Sequence, residues 1–294
     1  MIFRNLWARM NTVRGERVHP ASFTEMGFRV EAASRSDAGG RDENEDYCMV
    51  RVPAEGEPAY SHGWLAIVSD GMGGHNAGDR ASRLAVDCVV KEYYESIGPP
   101  ASSLRSAVFS ANRSIRKEAR RSKLLSGMGA TCTVLVGLGD RAVLAHVGDS
   151  RLYLLRGGTI SQLTEDHSVT MDMVRRGLLE PGQAKQHREH NVVLRALGGE
   201  PQVEVAEWDT PLAVLPGDRF ILCTDGLSNV LEDEDILSAA SDLDCKAACD
   251  SLMALAETRQ PADNVTAIVV DVFSKDNPAT AEQVDSQVIS EVTS

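Results

Sequence analysis

No run of about 18 apolar residues occurs in this 294-residue chain, so no membrane-spanning helix is expected. Positive charge is also scarce: 30 Lys and Arg stand against 43 Asp and Glu, a formal net charge of −13. Gripping nucleic acid or anionic lipid unaided takes a basic face, so neither is expected as a partner. None of the six cysteines stands in a CxxC pair. Cys132 and Cys223 sit inside apolar runs, as buried thiols do, and Cys245 and Cys249, spaced i, i+4, read as small core-facing residues of one helix. This usage suits a reducing, cytoplasmic compartment. HExxH and GxSxG are absent. Asp70-Gly71-Met72-Gly73-Gly74 lacks the Lys-Ser/Thr of a phosphate-binding loop, and Gly137-Leu138-Gly139 runs into a strand where a dinucleotide loop would open a helix.

Both ends differ from the body. Residues 1–26 carry Arg4, Arg9, Arg14 and Arg17 but no apolar core or cleavage site of a secretory signal. They are expected to form a poorly ordered extension, or to lie upstream of a start at Met10 or Met26. Residues 275–294 are rich in Ser, Thr, Ala, Gln and acids, and read as a disordered acidic tail. The folded unit is then 27–274.

Within that unit strands are expected at Phe28–Ala33, Tyr47–Val52, Trp64–Ser69, Ala130–Val136, Ala142–Val147, Leu152–Leu155, Ile160–Leu163, Val203–Trp208, Phe220–Thr224 and Val265–Phe273. Helical spacing of apolar residues marks 81–97 and 102–120, with one or two further helices in 234–258 and an irregular, partly helical stretch at 168–190. The strands come in hairpin-linked runs and the helices in pairs. A βαβ alternation is missing, which predicts an α+β domain of antiparallel sheets covered by helices.

The acids carry the chemistry. Asp70 ends the run Trp64–Ser69 and precedes Gly71; Asp225 ends Phe220–Thr224 and precedes Gly226; Asp263 precedes Asn264 and a strand; Asp149 follows Val143–Gly148. A strand ending in Asp-Gly aims a carboxylate outward from a rigid edge. One such pair is merely a turn, but several can gather carboxylates at one sheet edge, where they repel unless a cation joins them. Hard oxygen ligands select Mg²⁺ or Mn²⁺ over Zn²⁺. Arg41-Asp42-Glu43-Asn44-Glu45-Asp46 adds a guanidinium beside further acids. An Arg there suits a bidentate grip on phosphate, while a solvated charged loop reads equally well from this segment alone.

Eight segments, in order, resemble the PPM family, the type-2C metal-dependent Ser/Thr protein phosphatases, in its bacterial form. They are Arg41-x-x-Asn44-Glu45-Asp46, Val68–Gly74, Gly127–Thr131, Val147–Arg151, Leu163–Ser168, Arg195–Gly198, Thr224–Leu227 and Asp263–Thr266. The resemblance implies a central β-sandwich of two antiparallel sheets flanked by helix pairs, in four layers α-β-β-α. It implies two Mn²⁺ or Mg²⁺ ions per site, with a third in bacterial members. Asp70 then resembles the carboxylate bridging two ions, Gly71 offers a carbonyl ligand, and Asp225 and Asp263 bind the other ion. Glu45 and Asp46 match the family's acidic pair, acting directly or through water. Asp149 matches the ligand that shares a third ion with Asp225, Arg41 matches the phosphate-binding arginine, and 165–195 matches the flap beside the site.

The implied reaction is hydrolysis of phosphoserine or phosphothreonine by direct attack of a metal-bridging hydroxide, with no cysteine nucleophile. Its implied partners are phosphorylated Ser/Thr proteins, a Ser/Thr kinase among them, and the chain is expected to be a monomer. Met72 stands where the eukaryotic branch has His, and a thioether cannot donate a proton. His75 reads as a structural loop residue and His167 as an anchor of the flap. A pseudophosphatase binding module would have lost a metal ligand, yet Asp70, Asp225 and Asp263 are all present. A phosphatase dedicated to one narrow regulatory substrate stays open.

Overall fold

Alternation along the strands decides how the layers stack. In the computed structural model, residues 17–19, 28–73 and 77–274 are described. The extension 1–26 departs from the expectation at 17–19, which pair with residues 32–34 as an edge strand; its other residues lie outside the described ones, as does the tail 275–294. In chain order the elements are β1 (Arg17–His19), β2 (Phe28–Asp37), β3 (Tyr47–Arg51), β4 (Trp64–Ser69), β5 (Gly71–Met72), α1 (Ala77–Tyr94), α2 (Pro100–Ala119), β6 (Gly129–Ala130), β7 (Cys132–Leu138) and β8 (Arg141–Val147). There follow β9 (Arg151–Arg156), β10 (Thr159–Gln162), α3 (Val169–Arg175), β11 (Ala206–Glu207), β12 (Leu212–Ala213), β13 (Arg219–Cys223), α4 (Asp225–Ser228), α5 (Asp233–Ala240), α6 (Cys245–Thr258) and β14 (Val265–Ser274).

One sheet runs β1-β2-β14-β13-β9-β10 and the other β11-β8-β7-β4-β3, with β12 beside β8. Every pairing between them is antiparallel. Along β4, Trp64, Ala66 and Val68 point between the sheets, where they meet Phe220, Leu222, Ile268 and Val270. The alternate residues Leu65 and Ile67 point the other way, onto α1 and α2. The second sheet does the same: Ile221, Cys223, Ala267 and Val269 face α5 and α6, and Cys245 and Cys249 join that layer as buried thiols. A strand buried on both faces reads as a continuous apolar run, which is why β4 is so plain in the sequence. Each fully buried Leu, Ile or Phe here contributes roughly 1.5–3 kcal/mol. The result is the expected four-layer α-β-β-α sandwich.

Differences lie at element edges. The first helix covers 77–94 and stops short of residue 97; the Tyr93 and Tyr94 hydroxyls donate to the His62 and Gly63 carbonyls and pin its end, leaving Ile97 exposed. The expected strand Val203–Trp208 shrinks to Ala206–Glu207, because Val203 and Val205 satisfy their apolar character by packing under α2 without pairing. In contrast to an Asp-Gly turn at a strand end, Asp225 opens the short helix α4. The 234–258 region resolves into two helices, α5 and α6.

Candidate active site

The site lies where β4 and β13 end and β14 begins, at one end of the sandwich. Asp70 sits between β4 and β5. Its backbone is fixed twice by Thr131, whose hydroxyl accepts the Asp70 N–H at 2.8 Å and whose N–H donates to the Asp70 carbonyl at 2.8 Å. Gly71 is forced by close approach: a Cβ there would lie 2.1 Å from the Gly78 carbonyl oxygen and 2.6 Å from that of Glu45. The start of α1 is thereby drawn against the strand end, and the Gly78 N–H reaches the Glu45 carboxylate. Gly226 plays the same part on the other sheet, where a Cβ would strike the Asn264 carbonyl oxygen at 2.0 Å.

Asp46, just before β3, is buried. Its Oδ2 accepts from the hydroxyls of Thr224 and Thr266, each at 2.7 Å, while its Oδ1 has no partner among the described residues. Asp225 accepts from Asn229 at 3.1 Å through Oδ2, and its Oδ1 is likewise orphaned. The same holds for Asp149 Oδ1. Asp70 and Asp225 are in direct side-chain contact.

Burial is the first cause raising the pKa of all four acids, and like charge adds to it. Asp70 is pushed well up by burial and then by Asp46, Asp225, Asp149 and Asp263. Burial lifts Asp46, against two threonine hydroxyls that stabilise its ionised form. Burial and then Asp225 raise Asp149; burial and then Asp263 raise Asp225. Glu45 is raised by burial despite the Gly78 N–H and Arg41.

Arg41 and Asp263 hold each other at the rim. The Arg41 NH2 group donates to Asp263 Oδ2 at 2.7 Å and its Nε to the Ala262 carbonyl at 3.2 Å. Asp263 Oδ1 accepts the Asn264 N–H at 2.9 Å, so both its oxygens are engaged. The structure thus brings Asp46, Asp70, Asp149, Asp225 and Asp263 into one electrostatic neighbourhood, with Glu45, Gly71 and Arg41 at its border.

Whether this neighbourhood suits a cation can be judged from the oxygens. Among the described residues, no three Asp, Glu, His or Cys side chains already close on a single point as a finished metal cage. Carboxylates that repel one another would not do so by themselves. Three buried oxygens from three separate segments nevertheless lack any donor, and buried polar atoms are otherwise nearly always satisfied. Hard, anionic, unsatisfied oxygens fit Mg²⁺ or Mn²⁺.

The roles of some supporting residues are not legible in the sequence. Asn264 accepts the Glu45 N–H at 2.8 Å and donates to the Ala38 and Glu43 carbonyls, so it shapes the whole 38–45 loop. Thr224 and Thr266 were legible only as polar breaks in apolar runs. His167 anchors the 165–195 segment: its ring accepts the Gly148 N–H at 3.1 Å and its N–H donates to the Gly148 carbonyl at 2.7 Å. Arg151 binds Asp166 through both forks, at 2.9 and 2.6 Å. His75 lies outside the described residues.

A two-sheet sandwich with buried carboxylates at one edge and an arginine on the rim defines the class of metal-dependent phosphoester hydrolases. The sequence profile of the protein phosphatase 2C family matches residues 44–268, and the chain belongs to that family. It is 36% identical to the serine/threonine protein phosphatase PstP of Mycobacterium tuberculosis over 83% of this chain, and spans 45% of that relative's length. With the serine/threonine phosphatase stp of Listeria welshimeri it shares 36% identity over 82% of this chain and 96% of the relative. A crystal structure of the PstP catalytic domain in complex with two manganese ions superposes with a TM-score of 0.73 at 34% identity, covering 84% of this chain and all of that one. No described helix is long and apolar enough to cross a membrane.

Proposed function

We propose that this chain removes phosphate from phosphoserine and phosphothreonine in proteins, using Mn²⁺ or Mg²⁺, with residues 27–274 as the catalytic domain. The observation that carries the reading is the set of donor-less buried oxygens of Asp46, Asp149 and Asp225 around Asp70. Asp70, with the Gly71 carbonyl, Asp225 and Asp263 would hold two ions; Asp149 with Asp225 would offer a place for a third; Glu45 and Asp46 would act directly or through water. When bound, the ions supply Lewis acidity that lowers the pKa of water and spreads the charge of the phosphate.

The chain's own contribution is preorganisation. Thr131 fixes the Asp70 backbone, and Thr224 and Thr266 orient Asp46 so that one oxygen stays available. Arg41 stands at the rim with its side chain 59% exposed, where its fork can meet phosphate oxygens in a bidentate way. Met72 has no proton to give, so the leaving oxygen takes its proton from another group. The partners are Ser/Thr phosphoproteins, a Ser/Thr kinase among them, and the enzyme acts as a monomer. Six unpaired thiols favour a reducing, cytoplasmic setting.

The test is phosphate release from a phosphothreonine peptide with added Mn²⁺ and with EDTA. Release that depends on the metal is expected. A folded protein that releases none, from this peptide or from p-nitrophenyl phosphate, would return weight to a binding-module reading.

A further inference from the structure

Within an acidic chain, one surface has the opposite sign. Residues 113–123 hold six basic side chains, Arg113, Arg116, Lys117, Arg120, Arg121 and Lys123, against the single acid Glu118. Glu118 is itself occupied by Arg80 and Arg121, and Arg116 donates to the Gly199 carbonyl. Arg113, Lys117, Arg120 and Lys123 are exposed and make no ion pair among the described residues. Basic groups in the last turn of a helix offset its dipole by about 0.3–1 kcal/mol each. That accounts for Lys117 and Arg120, but Arg113 lies nearly two turns from the end of α2 and Lys123 lies beyond it.

The position of the patch relative to the site gives it meaning. The Arg80–Glu118 pair ties the end of α2 to the first turn of α1, which packs on Gly71 and Glu45. From Lys123 the chain passes Leu124, 73% exposed, to β6, which pairs residue for residue with β5 beside Asp70. On its other flank Arg116 touches Gly199, just past the 165–195 segment. A phosphorylated segment reaching Asp70 along this border therefore passes a positive surface. An acidic site on a protein of net charge −13 repels a phosphate dianion, and a local positive field on the approach offsets that repulsion and raises encounter.

We propose that the basic end of α2 and the turn after it form a docking surface for an acidic stretch flanking the phosphorylated residue of the substrate protein. The inference rests on the phosphatase reading above and names its substrate class: phosphosites with acidic neighbours. Nucleic acid offers the same charge, but its backbone phosphodiesters are not the Ser/Thr phosphomonoesters of the proposed reaction.

The experiment compares two phosphothreonine peptides, one with acidic and one with neutral flanks, on the full chain with Mn²⁺. The variants are Lys117→Glu/Arg120→Glu/Lys123→Glu and the milder Lys117→Gln/Arg120→Gln/Lys123→Gln. The wild type is expected to favour the acidic peptide by about 10-fold in kcat/KM through KM, and the charge-reversed variant to lose that preference. The advantage should shrink at high salt, while turnover of p-nitrophenyl phosphate stays unchanged. Fluorescence anisotropy of the labelled acidic peptide reads docking without turnover, so an inert enzyme would sink the phosphatase reading and still leave this one measured. Equal KM for both peptides, or an unchanged preference in both variants, overturns the proposal. Tighter binding of a short DNA duplex than of the acidic peptide at equal salt overturns it in favour of nucleic acid. Binding seen only after removal of residues 275–294 would assign the surface to the chain's own acidic tail.

Discussion

The two ends of the same pair of strands treat buried acids in opposite ways. Where β13 begins and β14 ends, Asp218 and Asp271 are buried, and each is gripped by an arginine. Arg156 meets Asp218 at 2.7 and 2.6 Å, and Arg219 meets its cross-strand partner Asp271 at 2.5 and 2.7 Å. At the other end Asp46, Asp149 and Asp225 are also buried, yet among the described residues no guanidinium hydrogen-bonds them and each keeps an orphaned oxygen. Both ends hold buried acids, but only one neutralises them from within. An acid needed to hold strands together is given a partner in the chain, whereas an acid needed for a cation must be left without one. Burial alone would not separate structural from functional carboxylates here; the missing counter-charge does.

The largest effects should come from exchanging the two roles. Asp225→Asn is expected to lower phosphatase turnover about 100-fold or more at saturating Mn²⁺. In metal-free buffer it should leave stability equal or higher, because it removes one of several repelling charges. Asp271→Asn should do the reverse: activity nearly intact, stability lower by about 3 kcal/mol because the half-buried Arg219 loses its counter-charge and keeps only the Ala240 and Leu243 carbonyls, and a Tm lower by roughly 8 °C. Thermal melts and peptide turnover on both variants check the pair. If Asp225→Asn destabilises the metal-free protein as much as Asp271→Asn does, the distinction between the two ends fails.

The sequence carried the layers and the identity of the acids, for different reasons. Strands β4, β13 and β14 are buried on both faces, so they read as mostly apolar runs, two of them leading up to Asp70 and Asp225 and the third starting just after Asp263. What it could not carry is anything set by contacts distant along the chain. The Thr224 and Thr266 hydroxyls reach Asp46 across 178 and 220 residues, and Asn264 reaches Glu45 across 219. The end of α1 differs from the expected 97 because it is fixed by tyrosine hydroxyls meeting the 62–63 backbone, which no periodicity reveals. The Arg41–Asp263 pair joins residues 222 positions apart, so the arginine that the sequence reads as a phosphate ligand or as part of a solvated loop also has an internal partner.

A smaller effect sharpens the same comparison through pH. The unliganded acids are raised by burial and mutual repulsion, Asp225 to about 6, Asp46 to about 7 and Asp149 to about 8. Between the ordinary carboxylate value near 4 and these values the folded state binds more protons than the unfolded one. The contribution of these acids to stability therefore falls as pH rises across that window, and it outweighs the opposite contribution of the buried His146 and His167, whose pKa values are lowered to about 4 and about 3 and which add stability only as pH rises towards the ordinary histidine value. The metal-free protein should have a higher Tm at pH 5 than at pH 8. Added Mn²⁺ should reverse the order, since the ion replaces the protons and binds best to ionised carboxylates. In metal-free Asp225→Asn the fall should be shallower. A metal-free Tm that rises from pH 5 to pH 8 would contradict the absence of an internal counter-charge.

The smallest effect concerns the one site acid that does have an arginine. Arg41 and Asp263 form an exposed pair, with side chains 59% and 31% accessible, so its loss should move stability by less than about 0.5 kcal/mol. This pair therefore differs from Arg219–Asp271 in kind: it is a contact that can open. Arg41→Ala frees Asp263 for a cation but removes two donors from the substrate phosphate. A charge-assisted hydrogen bond is worth about 1.5–3 kcal/mol, which corresponds to a rise in KM for a phosphopeptide of about 10-fold or more. The apparent affinity for Mn²⁺ should hold or improve, because Asp263 no longer has to exchange one partner for another. Arg41→Lys keeps the charge without the fork and should fall between the two in KM. Equal KM for wild type and Arg41→Ala, with weaker Mn²⁺ binding, would mean that Arg41 serves Asp263 as Arg219 serves Asp271, and that the rim arginine belongs with the structural end of the molecule.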